Sequence, residues 1–173
     1  MKKTIGQALL IIIAYALQTT IIGSAYTFYV NPNLMIILVT VSGFTYGRNN
    51  GMLVGFFSGL LCDVFFGNLL GPQAFLYMLL GYMNAKVVEH FYSDTIVFKY
   101  FMVFLTDILY ANVIYFTMFF LNGKLEYTYY LQMIILPEAI YTLIILVVIY
   151  PVLSRLYKWL EIPVKKERKE DDA

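Results

Sequence analysis

The feature that most constrains this chain is a succession of six apolar segments joined by short polar links. The segments cover residues of about 5 to 25, 33 to 46, 51 to 67, 73 to 91, 96 to 121 and 130 to 153. An α-helix crosses a hydrocarbon core of about 30 Å with about 20 apolar residues, and with fewer where the bilayer is thin. A composition that is 61% hydrophobic and 13% charged has too much apolar surface for a soluble globule of 173 residues. We therefore predict an all-α fold, a polytopic membrane helix bundle with six transmembrane helices.

The two ends of the chain are predicted to differ in structure. Residues 1 to 160 form a single transmembrane domain, and its first segment is expected to be a retained anchor because the apolar run continues past Ala16 to Ile22. Residues 161 to 173 mix Lys, Arg, Glu and Asp and are too polar to bury. We expect a charged cytoplasmic tail, which is either a solvated flank or a segment that touches anionic lipid headgroups.

The distribution of basic residues tests the number of spans. With the N-terminus in the cytoplasm and six spans, eleven of the twelve Lys and Arg residues fall inside, and only Lys124 falls outside. Cytoplasmic loops carry this excess of basic residues in membrane proteins. Removing one span would place the basic tail outside. The sequence thus predicts a multi-pass protein of the cytoplasmic membrane with both termini in the cytoplasm.

Small residues follow one face of the third segment. Every fourth position from 51 to 71 holds a glycine or an aspartate, and we call this set the glycine ridge: Gly51, Gly55, Gly59, Asp63, Gly67 and Gly71. A step of four residues advances 400° around an α-helix, so the set winds slowly along one face. Such a face lets another backbone approach closely in a membrane. The ridge is expected to pack either within this chain or against a partner protein.

Three acids occur within apolar segments, namely Asp63, Asp107 and Glu138. At about 1.5 Å per residue, all three fall in the middle and outer part of the bundle. An ionised carboxylate facing lipid would be costly, so each is expected to face protein or a polar cavity. Candidate hydrogen-bonding companions are Asn84, Asn112, Gln18, Thr19 and Thr20. Two interpretations remain open: the acids fix helix packing through hydrogen bonds, or they line a ligand pathway.

Motifs for catalysis or for metal and cofactor binding do not occur in the sequence. It contains no His-Glu-x-x-His, Gly-x-Ser-x-Gly, P-loop or Cys-x-x-Cys pattern. His90 is expected at a helix end, and Cys62, within an apolar run, is expected to be a packing residue. The basic residues form no element that reads nucleic acid. We expect neither an enzyme nor a nucleic-acid-binding protein, and no cofactor.

One sequence pattern resembles a known family. Residues 55 to 71 read Gly-x-x-x-Gly-Leu-x-x-Asp-x-x-x-Gly-x-x-Leu-Gly, and Leu-Leu-Gly-Tyr follows at 79 to 82. The last segment ends Tyr-Pro-Val-Leu-Ser-Arg-Leu at 150 to 156. With the short polytopic layout, these features resemble the rod shape-determining protein MreD family over nearly the whole chain.

This resemblance implies both a function and a fold. It implies a bacterial membrane component of the cell-elongation machinery that binds MreC and acts with MreB, RodA and a class B penicillin-binding protein in side-wall peptidoglycan synthesis. It also implies a fold similar to the six-helix substrate-binding components of energy-coupling-factor transporters.

Three functions follow as hypotheses. The first is a membrane scaffold that positions partners through its ridge and short loops. The second is a solute-binding transporter component, which the buried acids favour, although Ala8, Ala14 and Ala16 lack the Ala-x-x-x-Ala spacing that docks many such components. The third is a lipid-handling enzyme or flippase, which no motif supports.

Overall fold

Six helices form the part of the chain that the structure, a computed structural model, describes: residues 2–22, 30–66, 69–91, 95–118, 123 and 126–160. One helix lies in each predicted segment. Their bounds are α1 Lys2–Ala16, which continues as a π-helical turn Leu17–Ile22, α2 Leu34–Tyr46, α3 Arg48–Phe66, α4 Pro72–Phe91, α5 Ile96–Met118 and α6 Tyr127–Trp159. No strand occurs among these residues. The prediction of an all-α fold is confirmed.

α2 is the central helix of the bundle. Of its 13 residues, every one except Thr45 is buried. It packs against each of the other five helices. A helix that is apolar on all sides must be buried on all sides, and α2 meets this condition because its neighbours surround it. α2 therefore contacts the other helices on all sides where an outer helix would contact lipid. A length of 13 residues is sufficient for a helix in this position.

Successive helices run antiparallel and give the bundle two ends. At one end Arg48, which begins α3, pairs with Glu89 near the end of α4. At the other end Asp63 of α3 meets the start of α4. We call these the Arg48 end and the Asp63 end. α5 and α6 are also antiparallel. The start of α5 meets the end of α6 through an edge-to-face contact of Tyr100 with Tyr150, and the end of α5 meets the start of α6, where Asn112 accepts a hydrogen bond from Tyr127.

The outer surface of the bundle is apolar. Two helices, Ile96–Thr117 and Tyr127–Trp159, are long and apolar enough to cross a membrane by length and composition, and Ile5–Thr20 and Leu34–Tyr46 are shorter apolar helices. In each long helix, only 22% of the most apolar 18-residue stretch is buried. The core helix of a soluble protein would be mostly buried, so these apolar faces indicate a membrane protein.

The bounds of α3 and of the last helix differ from the predicted segments in an informative way. We predicted a turn-prone link at residues 48 to 51, between the second and third segments, but α3 begins at Arg48 and only Gly47 separates it from α2. Gly47 has φ +82°, a conformation that costs glycine little, so one residue reverses the chain. The last helix is longer than predicted at both ends. It contains the π-helical turn Leu131–Ile135 directly before Pro137, where the missing N–H of proline interrupts the regular hydrogen-bond pattern.

Candidate functional sites: the glycine ridge and a buried polar cluster

The glycine ridge packs against α4 of the same chain. A Cβ atom at Gly55 would overlap the carbonyl oxygen of Tyr77, and one at Gly59 would overlap that of Gln73 and lie 2.5 Å from the Cα of Ala74. Real Cβ contacts essentially never fall below 3.0 Å. The two backbones therefore touch at positions where only glycine fits. The ridge was expected to pack either within this chain or against a partner protein. The structure shows its contacts within the chain, at Gly55 and Gly59.

Three helices converge at a second set of glycines nearer the Arg48 end. A Cβ atom at Gly51 of α3 would lie 2.7 Å from the carbonyl oxygen of Gly81 on α4, and one at Gly43 of α2 would lie 2.8 Å from the same oxygen. From the sequence, only Gly51 was predicted to pack closely. Gly81 was noted only as part of the family pattern at 79 to 82, and Gly43 was missed, because a single glycine in an apolar run carries no spacing signal.

Gly71 does not extend the packing surface of the ridge. The helix ends at Phe66, and Gly67 lies outside the described residues. Gly71 has φ +118° and nothing within 4 Å of a Cβ position, so it provides a turn conformation and no packing surface. The four-residue spacing placed Gly71 on the helical face, but that geometry holds only as far as the helix extends.

Asp63 caps the N-terminus of α4. Its buried carboxylate accepts hydrogen bonds from the backbone N–H groups of Gly71 at 2.9 Å, Gln73 at 3.1 Å and Ala74 at 3.0 Å. The first N–H groups of a helix have no partner within the helix, and an anion there also interacts favourably with the helix dipole. Gly71 precedes the helix and has no side chain that could cap it. Asp63 supplies the missing acceptor from the neighbouring helix.

The second and third acids lie together in a buried polar cluster near the Asp63 end. Asp107 of α5 is 1% exposed, and Glu138 of α6 is close enough to interact with it electrostatically. The side chains of Asn33 and Thr142 lie beside Asp107. Within the part of the chain that the structure describes, neither carboxylate oxygen of Asp107 has a hydrogen bond of normal geometry. A buried carboxylate without such a bond is costly and needs an explanation.

Neutral polar groups from three helices and one link lie around this pair. Asn33, before α2, donates its backbone N–H to Thr142 Oγ1 at 3.0 Å and accepts from Tyr77 Oη at 3.4 Å. Tyr110 of α5 donates to Gln73 Oε1 at 3.4 Å, and its ring stacks on Tyr77 with a centroid distance of 4.9 Å. Gln73 also donates its N–H to Asp63, so the acid cap and the polar cluster share a residue.

Comparison with known proteins identifies the family. The family model of rod shape-determining protein MreD matches residues 2–160, which include all six helices and both sites. This chain belongs to the MreD family. The resemblance seen in the sequence is thereby confirmed, and membership supports a role in determining rod shape. No curated protein and no solved structure matched the chain.

The expected companions of the acids lie elsewhere in this MreD-family chain. Asn84 accepts a hydrogen bond from Thr106 at 2.9 Å. Thr106 directly precedes Asp107 in the sequence but lies on another face of α5. Gln18 accepts from the N–H of Met35 and thereby caps α2. The other three bond elsewhere: Thr19 and Thr20 to carbonyl groups of their own helix, and Asn112 to Ile108 and Tyr127.

Residues of the polar cluster that the sequence analysis missed are Asn33, Gln73, Tyr77, Tyr110 and Thr142. Asn33 and Gln73 stand next to predicted links, and the other three stand in apolar runs where tyrosine and threonine are common. Only the antiparallel packing of four helices brings these residues together. A polar residue at helical spacing from Asp107 would have been the one usable signal, and Tyr110, three residues later, has that spacing.

Proposed function

We propose that this protein is a membrane scaffold of the bacterial cell-elongation machinery, which binds MreC and supports side-wall peptidoglycan synthesis with MreB, RodA and a class B penicillin-binding protein. The observation that carries the proposal is the MreD family match over residues 2–160. The proposed activity is assembly of partners and not turnover of a substrate. The protein is proposed to cross the cytoplasmic membrane six times, with the Arg48 end in the cytoplasm.

The positions of the basic side chains support this orientation. Five basic side chains are described, and all lie toward the Arg48 end: Arg48, Lys86, Lys99, Arg155 and Lys158. Glu89 pairs with Arg48 at the same end. Basic residues are enriched on the cytoplasmic side of membrane proteins. The Asp63 end, with the polar cluster, then faces the outside of the cell.

The packing of the ridge indicates which surface a partner helix can use. Gly55 and Gly59 are covered by α4, so they cannot contact a partner unless α4 moves. The opposite face of α3 carries large exposed apolar side chains, including Leu53, Phe57 and Val64. We propose that MreC binds to outer apolar faces of this kind, while the ridge maintains the shape of the scaffold.

Co-purification tests the proposal. The full chain and MreC, produced together and extracted in a mild detergent, are expected to elute from a size-exclusion column as one complex that mass spectrometry identifies. A second membrane protein with one transmembrane helix serves as the control and should elute separately. Failure to recover MreC, together with binding of a vitamin-like solute by the purified chain at micromolar affinity, would favour a transporter component over the scaffold.

A further inference from the structure

The electrostatics of the polar cluster are unbalanced within the described residues. Asp107 is buried, Glu138 is half-buried beside it, and the neighbouring side chains of Asn33, Thr142 and Tyr110 are neutral. The basic side chains of the described ranges all lie toward the other end of the bundle. Taking carboxylates out of water is costly unless protonation or an opposite charge compensates them. A bound cation would compensate the ionised pair, and the described side chains of this chain supply no such cation.

The geometry points to a use for this charge: we propose that Asp107 and Glu138 form a binding site for a positively charged group. This group is an alkali or alkaline-earth cation, or the ammonium group of a lipid headgroup or solute. The inference does not depend on the scaffold function, because it rests on the residues of the cluster alone.

The donor atoms of the cluster define the class of ligand. The two acids supply carboxylate oxygens, and Thr142 and Tyr110 supply hydroxyl oxygens next to them. No group of three or more His, Cys, Asp or Glu side chains that could hold a metal ion occurs in the described ranges. Oxygen ligands suit sodium, calcium and ammonium groups, whereas zinc and copper sites use imidazole or thiolate. A hard cation or an ammonium group therefore fits, and a transition metal does not.

Glu138 is the more accessible of the two acids. Asp107 is 1% exposed, whereas Glu138 is half-buried on the neighbouring helix. Asp107 lies at the middle of α5, eleven residues from either end, and Glu138 lies eleven residues after the start of α6. A ligand would therefore reach Glu138 first and then Asp107. In the proposed orientation, it would come from the outside of the cell or from the outer leaflet.

Thermal unfolding of the purified full chain in a neutral detergent tests the proposal. Sodium chloride, calcium chloride and ethanolamine hydrochloride are titrated at constant pH, with N-methylglucamine chloride of equal ionic strength as the reference. A ligand that binds only the folded state raises the unfolding temperature, by about 5 °C at a hundredfold excess over its Kd. At least one of the three salts should produce a saturable rise of this kind. Sodium or calcium alone would identify an inorganic cation, and ethanolamine alone would identify an ammonium ligand.

Two variants and a matched control make the result specific. Asp107→Asn should abolish the saturable rise, while its unfolding temperature in the reference salt is at least that of the wild type. Glu138→Gln should weaken the apparent affinity tenfold or more, and it carries the test if Asp107→Asn does not fold. Glu126→Gln, an exposed acid at the start of α6, should respond like the wild type. The proposal is overturned if the wild type shows no saturable rise with any of the three salts, or if Asp107→Asn shows the same rise.

Discussion

Asp63 accepts three backbone hydrogen bonds at the point where α4 begins. The acid lies on the third helix, but the N–H groups it satisfies belong to the fourth. Pro72 has no N–H and favours the first turn of a helix. Asp63 accepts hydrogen bonds from the free N–H groups on either side of this proline. A single carboxylate thus fixes both the start of α4 and its position on α3.

Replacing Asp63 by alanine should destabilise the fold by about 2 kcal/mol, because three N–H groups at the start of α4 lose their acceptor. Asp63→Asn, which keeps one acceptor oxygen, should cost less. Chemical or thermal unfolding in detergent measures both differences.

A matched control for Asp63 exists within the chain. Glu126 also precedes a helix, but it is exposed and makes no side-chain capping bond. Glu126→Ala should therefore change stability by only a few tenths of a kcal/mol. Equal effects of Asp63→Ala and Glu126→Ala would contradict the capping role.

The hairpin of α3 and α4 is the most closely packed pair of elements in the bundle. Gly55 and Gly59 let the backbones touch along its length, Asp63 joins the helices at one end, and Arg48 pairs with Glu89 at the other. Little hydrophobic force drives helices together within lipid, so close van der Waals contact and hydrogen bonds must hold this pair. The exposed Arg48–Glu89 pair contributes less than the other two features.

The variant Gly59→Leu should separate α3 from α4. A leucine side chain would meet the backbone of Gln73 and Ala74, and the cost should reach about 3 kcal/mol. Cells that carry only this variant should lose MreC from the complex and become round, and the purified protein should unfold at lower temperature. Phe57→Leu exchanges one apolar side chain for another at a position that is 53% exposed on the opposite face, so it serves as the folding control and should leave the unfolding temperature near that of the wild type. Rod-shaped cells with MreC retained in the Gly59→Leu strain would contradict a structural role of the ridge.

Elements could be predicted from this sequence more readily than contacts between them. Six apolar segments gave six helices, because apolar length is a local property of the chain. The ridge predicted that Gly55 and Gly59 meet another backbone, but the identity of α4 as that backbone depends on the turn before Pro72. The cap formed by Asp63 and the grouping of Asn33 with Thr142 depend on residues far apart in sequence. Such groupings follow from tertiary packing, which periodicity does not encode.

The molecule as a whole has a buried polar interior and an apolar exterior. α2 fills the centre, the acids face inward, and most of the large exposed side chains of α1, α3, α5 and α6 are apolar. This arrangement suits lipid as the solvent, and the basic side chains at the Arg48 end give the bundle a direction. The scaffold function and the access to the polar cluster both depend on that direction.

The orientation can be measured with single cysteines in intact cells. Cys62 is buried and is first replaced by alanine, which leaves a background without thiols. A cysteine at Glu126, at the Asp63 end, should react with a membrane-impermeant maleimide from outside. A cysteine at Ser93, in the predicted cytoplasmic link after α4, should react only after the membrane is made permeable. Labelling of the Ser93 cysteine in sealed cells, or protection of the Glu126 cysteine, would contradict the six-span membrane bundle with its Arg48 end in the cytoplasm.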